Sequence, residues 1–313
     1  MGVVGGDSVT VAAGNVATVT SMQTQFHTDI DVTFTLSGTT DNGLTFGAAV
    51  DLDEAENIGS DNGQGDACAA GCGDSNADHD GFAVFLSGNF GTVTMGDTDG
   101  GFDWGMAEVP TGSGSIADNE TGHAGYNGNG GLDGTFDGQI LRYDHSVGGL
   151  GFAVSIELDD TGAAASDPVI GLGLRYSIAN INLGLGYQSA TTVAGVDLEA
   201  MGLSIGTTIA DIALGLNYSV NSSSAAGAVD QTHVGIGASY SMDAITIGVN
   251  WGRYDDFGNA AGAERSGFGL SAGYDLGGGA SILLGYGSST HVPAGGGAGV
   301  DSSNWSLGLS MSF

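Results

Sequence analysis

Strict two-residue alternation of apolar and small polar side chains, repeated along most of the chain, limits the fold more than any other feature of this sequence. At the C-terminus, Trp305, Leu307, Leu309, Met311 and Phe313 alternate with Ser306, Gly308, Ser310 and Ser312. Ile212, Leu214, Leu216, Tyr218 and Val220 alternate with Ala213, Gly215, Asn217 and Ser219. The same period runs through Ile245–Gly252, Ile181–Gln188, Val32–Ser37 and Leu44–Asp51. Such segments read as strands with one greasy face and one polar face. A soluble sandwich alternates too, but its outer faces carry Lys, Glu and Arg. Here the polar partners are Gly, Ser, Thr, Asn and Asp, which suit a wet interior, so the apolar faces are expected to point outward into lipid.

A sheet in hydrocarbon cannot leave an open edge, because each unsatisfied peptide group there costs several kcal/mol. The expected fold class is therefore all-β, a transmembrane antiparallel β-barrel, with residues 1–313 as one domain. Its strand number follows from the connections. Seven short turns are expected at Asp41-Asn42-Gly43, Gly88–Gly91, Val147-Gly148-Gly149, Ala179-Asn180, Ala210-Asp211, Asp243-Ala244 and Leu276–Gly279. Eight longer acidic or Ser/Gly-rich segments alternate with them: 6–20, 52–79, 97–136, 159–167, 189–196, 221–230, 255–265 and 288–302. Fifteen connections make sixteen strands, an even number, with short periplasmic turns and long external loops. The first strand, from Met1, is expected to be too short to span.

Charge narrows the partners. The chain has 36 acidic residues against four basic ones, Arg142, Arg175, Arg253 and Arg265, and a formal net charge of −32. Such a field repels nucleic acid and attracts cations; an acidic surface also suits a saline habitat. No run approaches the roughly 18 apolar residues of a membrane helix. Met1 leads directly into GVVGGDSVTV with no basic n-region or long apolar core, so export has to be argued from other features.

Chemistry-bearing motifs are sparse. Cys68 and Cys72 lie in an acidic run, and their spacing and even count suit a small loop disulfide formed in an oxidising compartment. A metal site is the competing reading, but two cysteines with only His79 nearby leave a zinc set incomplete. The six histidines are scattered, with no H-E-x-x-H pair and no G-x-S-x-G elbow, so no enzyme is expected. No cofactor is required. Calcium is a candidate ligand in DLDEAE (51–56) and GDTDGGFD (96–103), with Asp97, Asp99 and Asp103 as oxygen donors, although neither segment has EF-hand spacing. The alternative from another class is a secreted, acidic, Gly/Asp-rich calcium-binding adhesin or β-roll. It would need tandem nonapeptide repeats, whereas this chain repeats by hairpins of about 20–25 residues.

Several stretches are similar to the general bacterial outer-membrane porins, in particular those of the Rhodobacter type: FTLSGTTDNGLTFGAAV (34–50), VFLSGNFGTVTMGD (84–97), ILRYDHS (140–146), GFGLSAGYDLGGGASILLGYG (267–287) and the terminal Phe313. The resemblance spans nearly the whole chain. It implies a sixteen-stranded, homotrimeric, water-filled channel for small hydrophilic solutes and ions, in the outer membrane of a Gram-negative bacterium and in contact with its lipid and lipopolysaccharide. It also implies that the third long loop, 97–136, folds into the barrel as a constriction, with Asp97, Asp99, Asp103, Glu108, Asp118, Glu120, Asp133 and Asp137 as candidates for its acidic rim. Family members oppose such acids with an arginine cluster. Here parity sends only Arg142 and Arg175 into the lumen, together with Asp31 and Asp51, while Arg253 and Arg265 flank a loop. The expected pore is cation-selective.

Overall fold

The computed structural model describes residues 1–53, 78–117, 121–159, 162 and 166–313. Cys68, Cys72, Asp118 and Glu120 lie outside the described residues, as do the side chains of Asp31 and Asp51.

Among the described residues, seventeen strands form a single sheet. They are β1 Gly2–Ala12, β2 Val16–His27, β3 Asp31–Thr39, β4 Thr45–Asp53, β5 Asp78–Gly88, β6 Gly91–Asp97, β7 Gln139–Val147, β8 Leu150–Glu157 and β9 Asp167–Ile178. Next come β10 Ile181–Thr191, β11 Asp197–Ile209, β12 Ile212–Ser223, β13 Gln231–Met242, β14 Ile245–Asp255, β15 Glu264–Gly277, β16 Ala280–Val292 and β17 Val300–Met311. One short helix, α1 (Gly101–Gly105), follows β6. Each strand from β3 to β17 pairs antiparallel with the next. β1 pairs antiparallel with both β17 and β2, which brings the sheet round on itself.

The alternating directions reconcile seventeen strands with the sixteen expected. From β3 to β17 the direction reverses an even number of times, then once into β1 and once into β2. β2 and β3 therefore run the same way. Only residues 28–30 separate them, so they are successive parts of one traverse. All seven short turns fall where the sequence places them, at 40–44, 89–90, 148–149, 179–180, 210–211, 243–244 and 278–279. Tight hairpins demand positive φ, and several turns put it on residues other than glycine: Ala179 at 52°, Ala210 at 49° and Asp243 at 53°.

The N-terminus departs from expectation. Residues 6–20 are not a loop, and β1 is not a stub but an eleven-residue strand joined to β2 by a turn at 13–15. Asn15 makes that turn specific. It holds a left-handed φ of 60°, and its amide nitrogen donates to the carbonyls of Glu264 (2.9 Å) and Val292 (2.8 Å) on β15 and β16. The thin alternation of GGDSVTVAAGN hid this strand, because its inner and outer faces differ little in polarity.

Burial is inverted relative to a soluble protein. Phe34, Leu86, Leu174, Leu185, Ile205, Leu216, Ile247 and Leu284, all on the outward face, are exposed. The buried apolar cluster, Phe102, Met106, Leu132, Val169, Ala190 and Ala200, lies inside the ring, between the segment after β6 and the wall. An eleven-residue strand tilted near 45° rises about 26 Å, which matches an outward apolar band of roughly 25 Å. One continuous antiparallel sheet is not the architecture of a β-roll, so that alternative is set aside.

Outward and inward positions should respond differently to charge. Leu216→Arg, on the lipid side of β12, is expected to cost about 2–4 kcal/mol of folding stability. Thr35→Arg, on the inner face of β3, should stay within roughly 0.5 kcal/mol of the parent. Reversible urea unfolding in lipid vesicles measures both, and equal costs would contradict the assigned faces.

Candidate functional site

The described residues of the long connection between β6 and β7, 98–117 and 121–138, lie inside the barrel and run along its wall in two legs. Its outward leg starts at α1 and crosses to the seam. Gly101 N donates to Ser155 Oγ on β8 (2.7 Å), Ala107 N to Ser204 Oγ on β11 (2.9 Å), and Ser113 N to Ser271 Oγ on β15 (3.2 Å). At its far point, Ile116 O meets His27 Nε2 at the end of β2 (2.9 Å). The return leg comes back one tier nearer the long-loop end. Ala124 N donates to Ser289 Oγ on β16 (3.0 Å), Gly125 O meets His233 Nε2 on β13 (3.0 Å), Asn129 faces Asn217 on β12, and Leu132 N donates to Gln188 Oε1 on β10 (2.7 Å).

Inward glycines let this strap lie flush. A Cβ built on Gly173 would collide with Gly101 O, one on Gly237 would sit 2.6 Å from Pro110 O, and one on Gly248 would sit 2.5 Å from Gly112 Cα. The obstacle in each case is backbone, which cannot rotate aside. Phe102 uses the same device, its ring filling the space above Gly186 and Gly202. Much of the glycine on the inner face is thus a track for the loop.

Gln188, Asn217 and Asn250, which alternation makes lumen-facing, do point inward but lie beneath the strap, at 0%, 1% and 1% exposure. Gln188 and Asn250 bond loop groups through both amide atoms, and Asn217 reaches Asn129 through its Nδ2. Two imidazoles complete the pinning. His123 Nδ1 accepts from Gly125 N (3.1 Å), so its Nε2 carries the proton and donates to Asn250 Oδ1 (2.6 Å). Burial pushes the His123 pKa down to about 4, which keeps that neutral form.

The predicted rim acids separate into distinct environments. Asp97 and Asp99 are exposed, and Asp99 Oδ2 lies 3.9 Å from Arg142 Nη1. Asp103, on α1, is pushed up to about 7 by burial first, then by the charges of Asp99, Asp133 and Glu108, with Arg175 opposing. Glu108 is exposed and accepts from the Tyr126 hydroxyl. Asp133 is turned toward the wall and raised to about 6 by burial, against hydrogen bonds from Gly100 N and Gln188. Asp137 is exposed and accepts from Gln139 N (3.0 Å), capping the start of β7. Among the described residues, no group of three or more His, Cys, Asp and Glu is arranged to hold a metal ion.

The arginines stand beside the loop. Arg142 Nε meets Asp144 (3.2 Å) and its Nη1 donates to Asp99 O (2.6 Å). The Arg175 guanidinium lies 4.4 Å over the Trp104 ring. Arg253 pairs with Asp255 (2.6 Å) and Glu264 (2.9 Å), and Arg265 donates to Asn15 (2.9 Å). The sequence reading missed Glu157, His123, His233 and Gln188. For Glu157, His233 and Gln188 the one signal was a large polar side chain on an inward strand face otherwise made of small residues; His123, on the loop, had none.

A closed antiparallel barrel with an outward apolar band and an internal loop narrowing its lumen defines a bacterial outer-membrane channel. Residues 2–292 match the family model described as Gram-negative porin, and the chain belongs to that family. It is 28% identical over 289 residues to a porin of Rhodobacter capsulatus, covering 81% of this chain and 84% of the other. Among solved structures, a triple mutant of the Rhodopseudomonas blastica porin aligns with a TM-score of 0.60 at 20% identity, covering 100% of this chain and 98% of that one. An anion-selective porin from Comamonas acidovorans aligns at 0.62 and 15%, with the same coverage. The protein is an outer-membrane porin.

Seating of the loop is testable through its glycine track. In Gly248→Val the strap cannot lie against β14 and has to lift into the lumen, so single-channel conductance should fall. The barrel should still assemble, read as heat-modifiable migration in gel electrophoresis. Unchanged conductance would mean that the loop does not rest on Gly248.

Proposed function

We propose that this porin conducts cations in preference to anions, through the passage between the internal loop and the wall of β3 to β6. One observation carries the reading: the basic groups near the constriction sit on the loop's own side. Arg142 is engaged by Asp99 and Asp144, and Arg175 by Trp104, with Asp103 adding its field. The cross-strand row that continues from Arg142 onto that wall is Thr94, Phe85, Gly47 and Ser37, with no charge at all. No basic surface therefore faces the exposed carboxylates of Asp99 and Glu108 across the water. A cleft lined by one sign of charge between low-dielectric walls concentrates the opposite ion. The anion-selective relative shares the fold at low identity, so the sign of selectivity resides in side chains.

The assembly we assign is a homotrimer, with the long-loop end facing outward and the apolar band in lipid and lipopolysaccharide; family membership supports this part. The passage is diffusive, and no catalytic step is needed.

Planar-bilayer recording under a KCl gradient tests the reading. Openings in groups of three with a reversal potential favouring K⁺ are expected. A potential favouring Cl⁻ would overturn cation selectivity, and silence from folded protein would overturn the open pore.

A pH series sharpens the test. With its pKa near 7, Asp103 is about half ionised at pH 7 and loses its charge as pH falls further. K⁺ preference should therefore decline between pH 8 and pH 6. In Asp103→Asn it should start lower and change less over that interval. Parallel curves for the two proteins would exclude Asp103 from the ion path.

A further inference from the structure

The two ends of the internal loop meet at a pair of carboxylates that point into protein. Glu157, at the end of β8, is 1% exposed. Its Oε1 accepts from Phe136 N (3.0 Å) and Gly138 N (2.9 Å), and its Oε2 accepts from Gly134 N (3.1 Å). One anion thus fills a concavity of three backbone N–H groups at the exit of the loop, an arrangement that both oxygens of a carboxylate satisfy and a neutral amide does not. Asp133 ties in the entry. Its Oδ2 accepts from Gly100 N (2.7 Å), just before α1, and its Oδ1 accepts from Gln188 Nε2 (2.5 Å). Gln188 in turn accepts from Leu132 N through Oε1 (2.7 Å). Loop entry, loop exit, β8 and β10 are joined at one point.

We infer that Glu157 and Asp133 are positioning residues for conduction: a clasp that sets where the loop stands in the lumen, distinct from the acids that meet the ions. The inference rests on the loop being the constriction of this porin. In Glu157→Gln one of the two acceptor oxygens becomes an NH₂ that faces a backbone N–H, so the exit of the loop has to open. Asp133→Asn turns an NH₂ toward either Gly100 N–H or the Gln188 amide. Asp99→Asn removes an exposed charge and leaves the clasp intact.

The test compares these three full-length variants and Glu157→Asp with the parent, all first shown to be folded by heat-modifiable migration. Single-channel recording should give Glu157→Gln and Asp133→Asn a broadened distribution of conductance steps and at least twofold more open-channel noise. Their reversal potentials in a KCl gradient should move less than that of Asp99→Asn. Glu157→Asp, which keeps both oxygens, should recover part of the quiet behaviour. Brief proteinase K treatment reads the loop without relying on conduction: cleavage between residues 97 and 138 should appear in the two clasp variants before it does in the parent.

Noise and proteolysis at parent levels in both clasp variants would overturn the inference. So would a selectivity shift as large as that of Asp99→Asn with no change in noise. If Glu157→Gln does not assemble, Asp133→Asn carries the same comparison. A parent that folds and resists protease yet never conducts would sink the constriction reading and leave the clasp to be judged on cleavage alone.

Discussion

Everything in this molecule follows from the requirement that peptide N–H and C=O groups facing hydrocarbon be satisfied by the chain itself. A strand cannot do that alone, and a flat sheet leaves two edges, so the ladder has to return to its start; here β1 takes both β17 and β2 as partners. Once the sheet is a ring, period two divides every strand between lipid and lumen. The lipid side takes Leu, Ile, Val and aromatic residues because nothing else is cheap there. The inner side is freed from packing a conventional core, and most of its positions are Gly, Ser, Thr or Asn.

That freedom is used by the loop. A strap of about forty residues inside a compact domain would ordinarily be a liability, since its backbone groups need partners and its ordering costs entropy. The inner wall answers both demands. Glycines at 173, 237 and 248 remove the volume that side chains would occupy, and serines at 155, 204 and 271 supply acceptors for loop N–H groups at hydrogen-bonding distance. The small buried cluster around Phe102 and Met106 adds apolar contact where α1 rests over β9 to β11. A wall of bulky residues would close the barrel equally well but could not seat the strap. High glycine content and a seated internal loop are therefore linked physically.

Most of the fold was legible because its signal is local. Turn chemistry and period two are properties of a few neighbouring residues, so the seven turns, the strand faces and the long loop emerged from sequence. The hairpin of β1 and β2 did not. Its strands carry little contrast between faces, and its turn at Asn15 is held by carbonyls some 250 residues away. The site was legible only in part for a related reason. Parity tells which way Gln188, Asn217 or Glu157 points, but not what lies on top of it. Nor can it separate Asp99, which stays in water, from Asp133, which turns to the wall, since both sit in the same acidic stretch.

The distinction between those two acids bears on how the cation preference proposed above would arise. A carboxylate that accepts several N–H bonds has its charge spent locally, and its removal disturbs shape before it disturbs potential. A carboxylate left in water acts on ions at a distance, and its effect scales with whatever opposes it. Arg142 and Arg175 could have provided that opposition from across the lumen; placed beside the loop, they offset the nearest acids and leave the row Thr94, Phe85, Gly47 and Ser37 without positive charge. Burial first, and then the charges of Asp99, Asp133 and Glu108, raises Asp103 to about 7, while Asp99 and Glu108 themselves stay exposed. On that proposal, neutralising the loop acids would not by itself make the pore prefer anions. That reversal needs positive charge on the wall of β3 to β6, where at present the row reads Thr94, Phe85, Gly47 and Ser37.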